Sequence, residues 1–266
     1  MTKPLIVFDF DGVISNSIHD SYLTALNSYI SFNPKHQLPL KQTIDPPEAV
    51  FDFEKAIPSL FDAFKHLLPF GNRAEDYFVF MQAMDQNKSL SIHNLEDFNA
   101  FKSSLDQAMM YNYHLAFYGL RLKRQNEDPE AWSQLLPAFE SIIETIKSLS
   151  HRAGLAIATS KDLKSVQLQL AYYGLTDYFP MDFILDKEKS HSKKDHLLHF
   201  SNEHNIPLEA MHFIDDKFLH LLSVDDLPVH KYLAAWGFNT KREHQLTLEH
   251  GYTLLQLSDL KHIAHA

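Results

Sequence analysis

Asp9-Phe10-Asp11-Gly12 follows directly on the apolar run Leu5-Ile6-Val7-Phe8. An apolar run of this length reads as a buried strand, and a strand is a stiff mount for a reactive group. Side chains along a strand alternate, so Asp9 and Asp11 point to one side if the extended conformation persists. Two acids held close repel as anions, which raises the pKa of one of them. Such a pair suits a metal ligand, a nucleophile or a proton shuttle. Gly12 lets the backbone turn away sharply, so its polar groups can face a ligand. A calcium loop is the competing reading. It would need further oxygen ligands and a Glu at its twelfth position. That position is Asp20, and no helix precedes the motif.

Three further positions carry the same kind of chemistry. Thr159-Ser160-Lys161 ends one apolar run and Asp215-Asp216 ends another, with Lys193 and Lys194 between them. Acids at two strand ends can hold a hard cation through oxygen. A hydroxyl at a strand-to-helix turn, with the free amides of the next helix, makes a phosphate seat. A Lys adds a point charge for the same anion. Together they describe a site for a phosphoryl group and a divalent ion. Each part has a plainer reading. Thr159 could satisfy a turn, and Lys189 and Lys194 compete with Lys193. Asp215-Asp216 is harder to dismiss, because two acids directly after Phe213-Ile214 are costly unless paired or metal-bound. Arg121, in Tyr-Gly-Leu-Arg-Leu-Lys-Arg, is the one substrate-binding candidate in the middle of the chain. A solvated Arg is the alternative there.

These residues need strands to carry them. From residue 138 onward strand and helix patterns alternate: a helix over 139–149, a strand over 154–159, and a helix over 162–173 closed by Gly174. A short strand over 183–185, a helix over 194–203 and strands over 211–214 and 231–235 follow. This alternation predicts an α/β fold, a Rossmann-like parallel sheet covered on both faces. Leu5 to Phe8 belongs with that sheet but stands far from it in sequence. Residues 16–137 read as mostly helical with no convincing strand, with faces at Ile57, Leu60, Phe61, Phe64 and Leu68, at Tyr77, Phe78, Met81 and Met84, and at Leu105, Met109, Tyr113 and Phe117. Pro34, Pro39, Pro46 and Pro47 mark an early irregular connection. The expected organisation is therefore a catalytic core of residues 1–15 and 138–266, interrupted by an all-helical domain of residues 16–137.

Composition narrows the classes. The chain has 266 residues, no Cys and a formal net charge of -10. There is then no disulfide, thiol nucleophile or Cys-based zinc site, and little general affinity for nucleic acid. No stretch approaches the roughly 18 apolar residues of a membrane span, and the start lacks the features of a signal peptide. A cytoplasmic enzyme without membrane or nucleic-acid partners is the expectation. Among 17 His, His191, His196, His199 and His204 invite a zinc reading, but a His-rich solvated helix face accounts for them more simply.

The four motifs, in this order, resemble those of the haloacid dehalogenase superfamily of phosphohydrolases. Asp9-Phe10-Asp11-Gly12, Thr159, Lys193 and Asp215-Asp216 match its successive motifs, and the helical insert resembles its cap placed after the first strand. Two departures stand out: Asp215 takes a place that is often Gly, and Lys194 follows the Lys where a Pro is usual. The resemblance implies that Asp9 is the nucleophile that forms an aspartyl-phosphate and that Asp11 is the acid and base. It implies that Thr159 and Lys193 bind the phosphoryl group, with Ser160 beside them a further candidate, and that Mg2+ is held by Asp9, the Asp11 backbone carbonyl and Asp216, with Asp215 close by. The implied activity is that of a Mg-dependent phosphatase for a small phosphorylated metabolite. A phosphotransferase or sugar-phosphate mutase using the same intermediate, and a non-catalytic binding protein on the same scaffold, are the alternatives.

Overall fold

The structure, a computed structural model, describes residues 3–71, 73–190 and 192–263. It divides into two compact units, Met1–Asn16 with Pro137–Ala266, and Ser17–Leu136.

The first unit holds six parallel strands: β1 (Leu5–Phe8), β2 (Gly154–Ala158), β3 (Ile184–Leu185), β4 (Met211–Asp215), β5 (His230–Ala234) and β6 (Thr253–Leu255). Their order is β3-β2-β1-β4-β5-β6. β1 is central: Phe8 lies opposite Ile157 on one side and Ile214 on the other. Alternation splits the apolar side chains between two layers. Ile6, Phe8, Leu155, Ile157 and Ile214 pack with Ile142, Ile146, Val166 and Leu170. Leu5, Val7, Ala156, Ala158, Met211 and Phe213 pack with Leu197, Phe200 and Leu221. A strand covered on both faces must be apolar throughout, which is why Leu5-Ile6-Val7-Phe8 shows no polar alternation. The α/β reading with a helical insert between the first two strands therefore holds. The strand Thr253–Leu255 and the helices Phe218–Leu222 and Lys241–Glu249 were not expected. Each is short or strongly polar and carries little periodic signal.

The segments that leave and re-enter this unit lie side by side. Ser15 bridges Ala138 in antiparallel fashion. The Asn16 amide donates to the Pro137 carbonyl at 2.8 Å and the Phe139 amide to that of Ile14 at 3.1 Å.

The second unit is helical in its described residues, apart from the irregular connection over 33–48. Helix Ala74–Asp85 is buried around most of its circumference. Its Phe78 and Phe80 pack with Tyr29, Phe64, Phe98 and Tyr113 in a dense aromatic core. One expected face is corrected. Asp106 accepts hydrogen bonds from the amides of Ala108 and Met109 and so starts helix Gln107–Glu127. Met109 then falls on the outer side of the first turn, 40% exposed, and the buried positions are Met110, Tyr113 and Phe117. Leu105 precedes that helix, and Ile57 precedes helix Pro58–Leu67. No helix of the described residues is long and apolar enough to cross a membrane.

The His-rich segment shows scattered roles. His196 is buried against the Asp186 carbonyl, and His204 stacks on Phe183. His191 lies outside the described residues. Burial first, and the nearby Lys193 second, hold His196 down to about 4. Burial, then the stacked His230 ring, hold His212 down to about 4 as well. Both imidazoles are thus neutral in the fold, while the unfolded chain takes up their protons near pH 6.5. Linkage then makes stability fall as pH drops from about 6.5 towards about 4, with no further loss from these groups below that. Melting temperature measured across this range should decline, and His196→Asn should flatten the decline if the variant folds.

Candidate active site

β1 and β4 run side by side in register, and the Asp9 amide extends the pairing by donating to the Ile214 carbonyl at 2.8 Å. Asp9 and Asp215 therefore emerge together at the carboxyl edge of the sheet, where ligands of parallel sheets gather. The Lys193 ammonium joins them: Nζ lies 2.9 Å from Asp9 Oδ1 and 2.9 Å from Asp215 Oδ2. Nζ also donates to the Ala158 carbonyl at 2.7 Å, at the end of β2. Ser192 caps the helix that begins at Lys193 by accepting the Asp195 amide. Lys193 is thus fixed at a helix start and reaches three strand ends. Of the competing lysines, Lys194 pairs with Asp226 and Lys189 is exposed.

The electrostatics follow from burial. Desolvation opposes the Lys193 charge, yet Asp215 and Asp9 hold its pKa above the ordinary lysine value. Desolvation raises Asp9, with Lys193 opposing and Asp215 adding to the rise. Desolvation also opposes ionised Asp215, but His220 and Lys193 outweigh it and hold Asp215 below the carboxylate range. Its Oδ1 accepts the Lys217 amide at 2.9 Å, and His220 Nδ1 lies 2.9 and 3.0 Å from its two oxygens. Asp216 is buried too, and desolvation, with Asp215 and Asp9 nearby, pushes its pKa well above the ordinary value.

Asp216 sits between two glycines. Its Oδ2 accepts the Phe238 amide at 2.8 Å. Gly12 adopts φ +85°, and a Cβ there would come within 2.3 Å of Asp216 Oδ2. A Cβ on Gly237 would lie 2.3 Å from Asp216 Cβ and 2.5 Å from the Gly12 carbonyl oxygen. That last contact is with backbone and cannot be relieved by a rotamer change. Gly237→Ala should therefore cost about 1–3 kcal/mol, read as a lowered melting temperature. Gly119→Ala is the control: it lies in helix Gln107–Glu127 with nothing within 4 Å of its Cβ, and should gain up to about 1 kcal/mol.

Asp11 takes a different lysine from Asp9. Lys161 Nζ lies 3.0 and 3.1 Å from its two oxygens. Asp11 is the more exposed acid, with about a third of its side chain accessible. Thr159 is buried, and its Oγ1 accepts the Lys161 amide at 3.1 Å. Ser160 beside it is half-buried. The expected seat of free helix amides after β2 is corrected. The Leu163 amide donates to Asp186 and the Ser165 amide to Asp162, because carboxylates settle at the positive end of a helix. Lys161 and the hydroxyls of Thr159 and Ser160 remain as the polar groups of this turn.

Arg121 is placed in the helical unit. Its NH2 lies 2.7 Å from Asp20 Oδ2, and the guanidinium stacks over Phe117 at 4.8 Å. Asp20 is fully buried and also accepts from Trp132 Nε1 at 3.0 Å. This is an interior ion pair, and it gives a substrate role for Arg121 no support. Lys217 at the site edge carries no sequence signal, and Lys161 and His220, though they lie within the motifs, are given no role by the sequence. The place of Lys161 directly after Thr159-Ser160 is visible there, but its pairing with Asp11 is not.

Among the described residues, Asp9, Asp215 and His220 are the acidic and imidazole groups whose ligand atoms converge, all within 4.8 Å of one another. The buried carboxylates of Asp9, Asp215 and Asp216, two of them held less acidic than usual, match the hard oxygen donors that a divalent cation takes.

A family model described as haloacid dehalogenase-like hydrolase matches residues 49–223. The chain belongs to this family. The matched span includes Thr159, Lys193, Asp215 and Asp216 but begins after Asp9. Similar solved structures include a haloacid dehalogenase-like hydrolase from Streptococcus pneumoniae, with TM-score 0.64, 16% identity and 99% and 98% of the two chains covered. A predicted phosphatase from Clostridium acetobutylicum has TM-score 0.57 and 14% identity over 98% of each chain. A predicted phosphoglycolate phosphatase from Haemophilus somnus has TM-score 0.55 and 18% identity over 91% and 89%. At these identities the likeness is one of fold. No curated protein matches the chain.

Proposed function

We propose that this haloacid dehalogenase-like hydrolase is a divalent-metal-dependent phosphatase of small phosphomonoesters that works through an aspartyl-phosphate on Asp9. The observation that carries the reading is Lys193, set 2.9 Å from both Asp9 and Asp215 at the strand ends. Lys193 occupies Asp9 Oδ1 and leaves Oδ2 for attack on phosphorus. Its charge also lowers the repulsion between an anionic nucleophile and an anionic ester. Asp11, held by Lys161, protonates the departing oxygen and then takes the proton of the water that opens the acyl-phosphate. Thr159, Ser160 and Lys193 hold the phosphoryl oxygens.

Asp9, the Asp11 backbone carbonyl, Asp215 and Asp216 would hold the cation, Mg2+ by the family resemblance. When bound, it supplies positive charge that screens the phosphoryl oxygens. The residues fit such a group. Four carboxylates gather at this edge, with Lys161 paired to Asp11 and Lys193 to Asp9 and Asp215, and a phosphoryl dianion adds further negative charge. Residues 17–136 are proposed as the cap that selects the substrate, and a phosphorylated metabolite is the proposed partner.

The test is a panel of phosphate esters with Mg2+ or Mn2+, with inorganic phosphate and transferred phosphate measured separately. Release to water supports the phosphatase reading. Transfer to a sugar favours a mutase, and neither would leave a binding protein.

A further inference from the structure

We propose that His220 is a metal ligand, and that its nitrogen tunes the site towards a borderline first-row ion such as Mn2+ or Co2+ in preference to Mg2+. The inference rests on the reading that a divalent ion binds at the Asp9–Asp215 edge.

The geometry comes first. A nitrogen of His220 and one carboxylate oxygen each of Asp9 and Asp215 lie within 4.8 Å of one another. His220 Nδ1 is 2.9 and 3.0 Å from the two Asp215 oxygens. Adjacent ligands about 2.1 Å from an octahedral ion are about 3 Å apart. The His220–Asp215 spacing therefore suits two neighbouring ligands as well as it suits a hydrogen bond. Accessibility agrees: Asp215 is fully buried while the His220 side chain is 26% exposed, so solvent reaches the imidazole. Lys193 lies against the same two carboxylates.

Position holds His220 in place. It lies in the short helix Phe218–Leu222, and Asp215 Oδ1 accepts the amide of Lys217, which precedes that helix. The same carboxylate thus fixes the start of the turn and faces the ring one turn later.

Ligand chemistry gives the preference. Mg2+ dehydrates reluctantly and favours carboxylate and water oxygen, whereas imidazole raises affinity along the series from Mn2+ to the later first-row ions. A neutral nitrogen in place of one more anionic oxygen gives up charge attraction, on which Mg2+ depends most.

The experiment uses the full-length protein with Mn2+ as probe. Electron spin-echo envelope spectra of the Mn2+ complex should show coupling to 14N, altered by 15N-histidine labelling and lost in His220→Asp and in His220→Gln. Competition titrations should show Mn2+ favoured over Mg2+, with the ratio falling about tenfold in His220→Asp. Bound Mn2+ without nitrogen coupling, in a protein that still hydrolyses phosphate esters, overturns the inference and leaves the phosphatase reading standing. Nitrogen coupling without any phosphatase activity supports the ligand and overturns that reading. Failure of Mn2+ to bind overturns both. The labelled parent protein decides the matter even if neither variant folds.

Discussion

Asp9→Asn should abolish turnover and leave the fold about as stable as the parent. The stability half follows from burial. Burial holds the Asp9 pKa above its ordinary value, so the folded state disfavours the very anion that the chemistry needs. An amide of the same shape is neutral and removes that penalty. It also loses half of the Lys193 pairing, but Asp215 keeps the ammonium engaged at 2.9 Å. These changes oppose one another, and the net shift should stay within about 1 kcal/mol. The amide cannot form an acyl-phosphate, so the rate should fall by about 10⁴-fold or more, as for other lost nucleophiles. Steady-state rates and thermal melts on the same sample check both halves. Activity close to the parent's would remove Asp9 from the nucleophile's role, and a collapsed melt would make its role structural.

Lys193→Met should be the more damaging change to the fold. Met fills similar volume but leaves Asp9 and Asp215 facing each other, buried, with no ammonium between them. Removing one partner from a buried ionic cluster typically costs about 3–5 kcal/mol. For a protein of this size that is a fall of very roughly 6–20 °C in melting temperature. Turnover should be lost as well, since the phosphoryl group would meet an unscreened Asp9. The double variant Lys193→Met, Asp215→Asn separates the effects. It removes one of the repelling charges and should recover part of the melting temperature without recovering turnover. An unchanged melt for Lys193→Met would show that the two acids do not rely on this lysine.

The sheet was legible because its strands are buried on both faces and bounded by polar turns. Leu5 to Phe8 and Gly154 to Ala158 are as apolar as that burial requires. The strand order was not legible, since no local pattern says that β1 lies between β2 and β4. The acids at the strand ends could be read for the same reason, standing directly after apolar runs. What they touch could not. Nothing in the spacing of Asp9 and Asp11 indicates that each takes a different lysine, Lys193 and Lys161. Arg121 illustrates the limit from the other side. Its partner Asp20 lies a hundred residues earlier, and only the packed helical unit brings the two together. Met109 and Met110 show how one residue of phase, set by the Asp106 cap, decides which methionine is buried.

The bridge between Ser15 and Ala138, with its flanking amide bonds, ties off the intervening chain at its neck. Closing a longer loop at a fixed neck adds only about 0.6 kcal/mol for each doubling of its length. The sheet-bearing unit is therefore nearly indifferent to how much polypeptide hangs between those two residues. Such a scaffold can carry one insert or another, large or small, without unsettling the sheet beneath the neck.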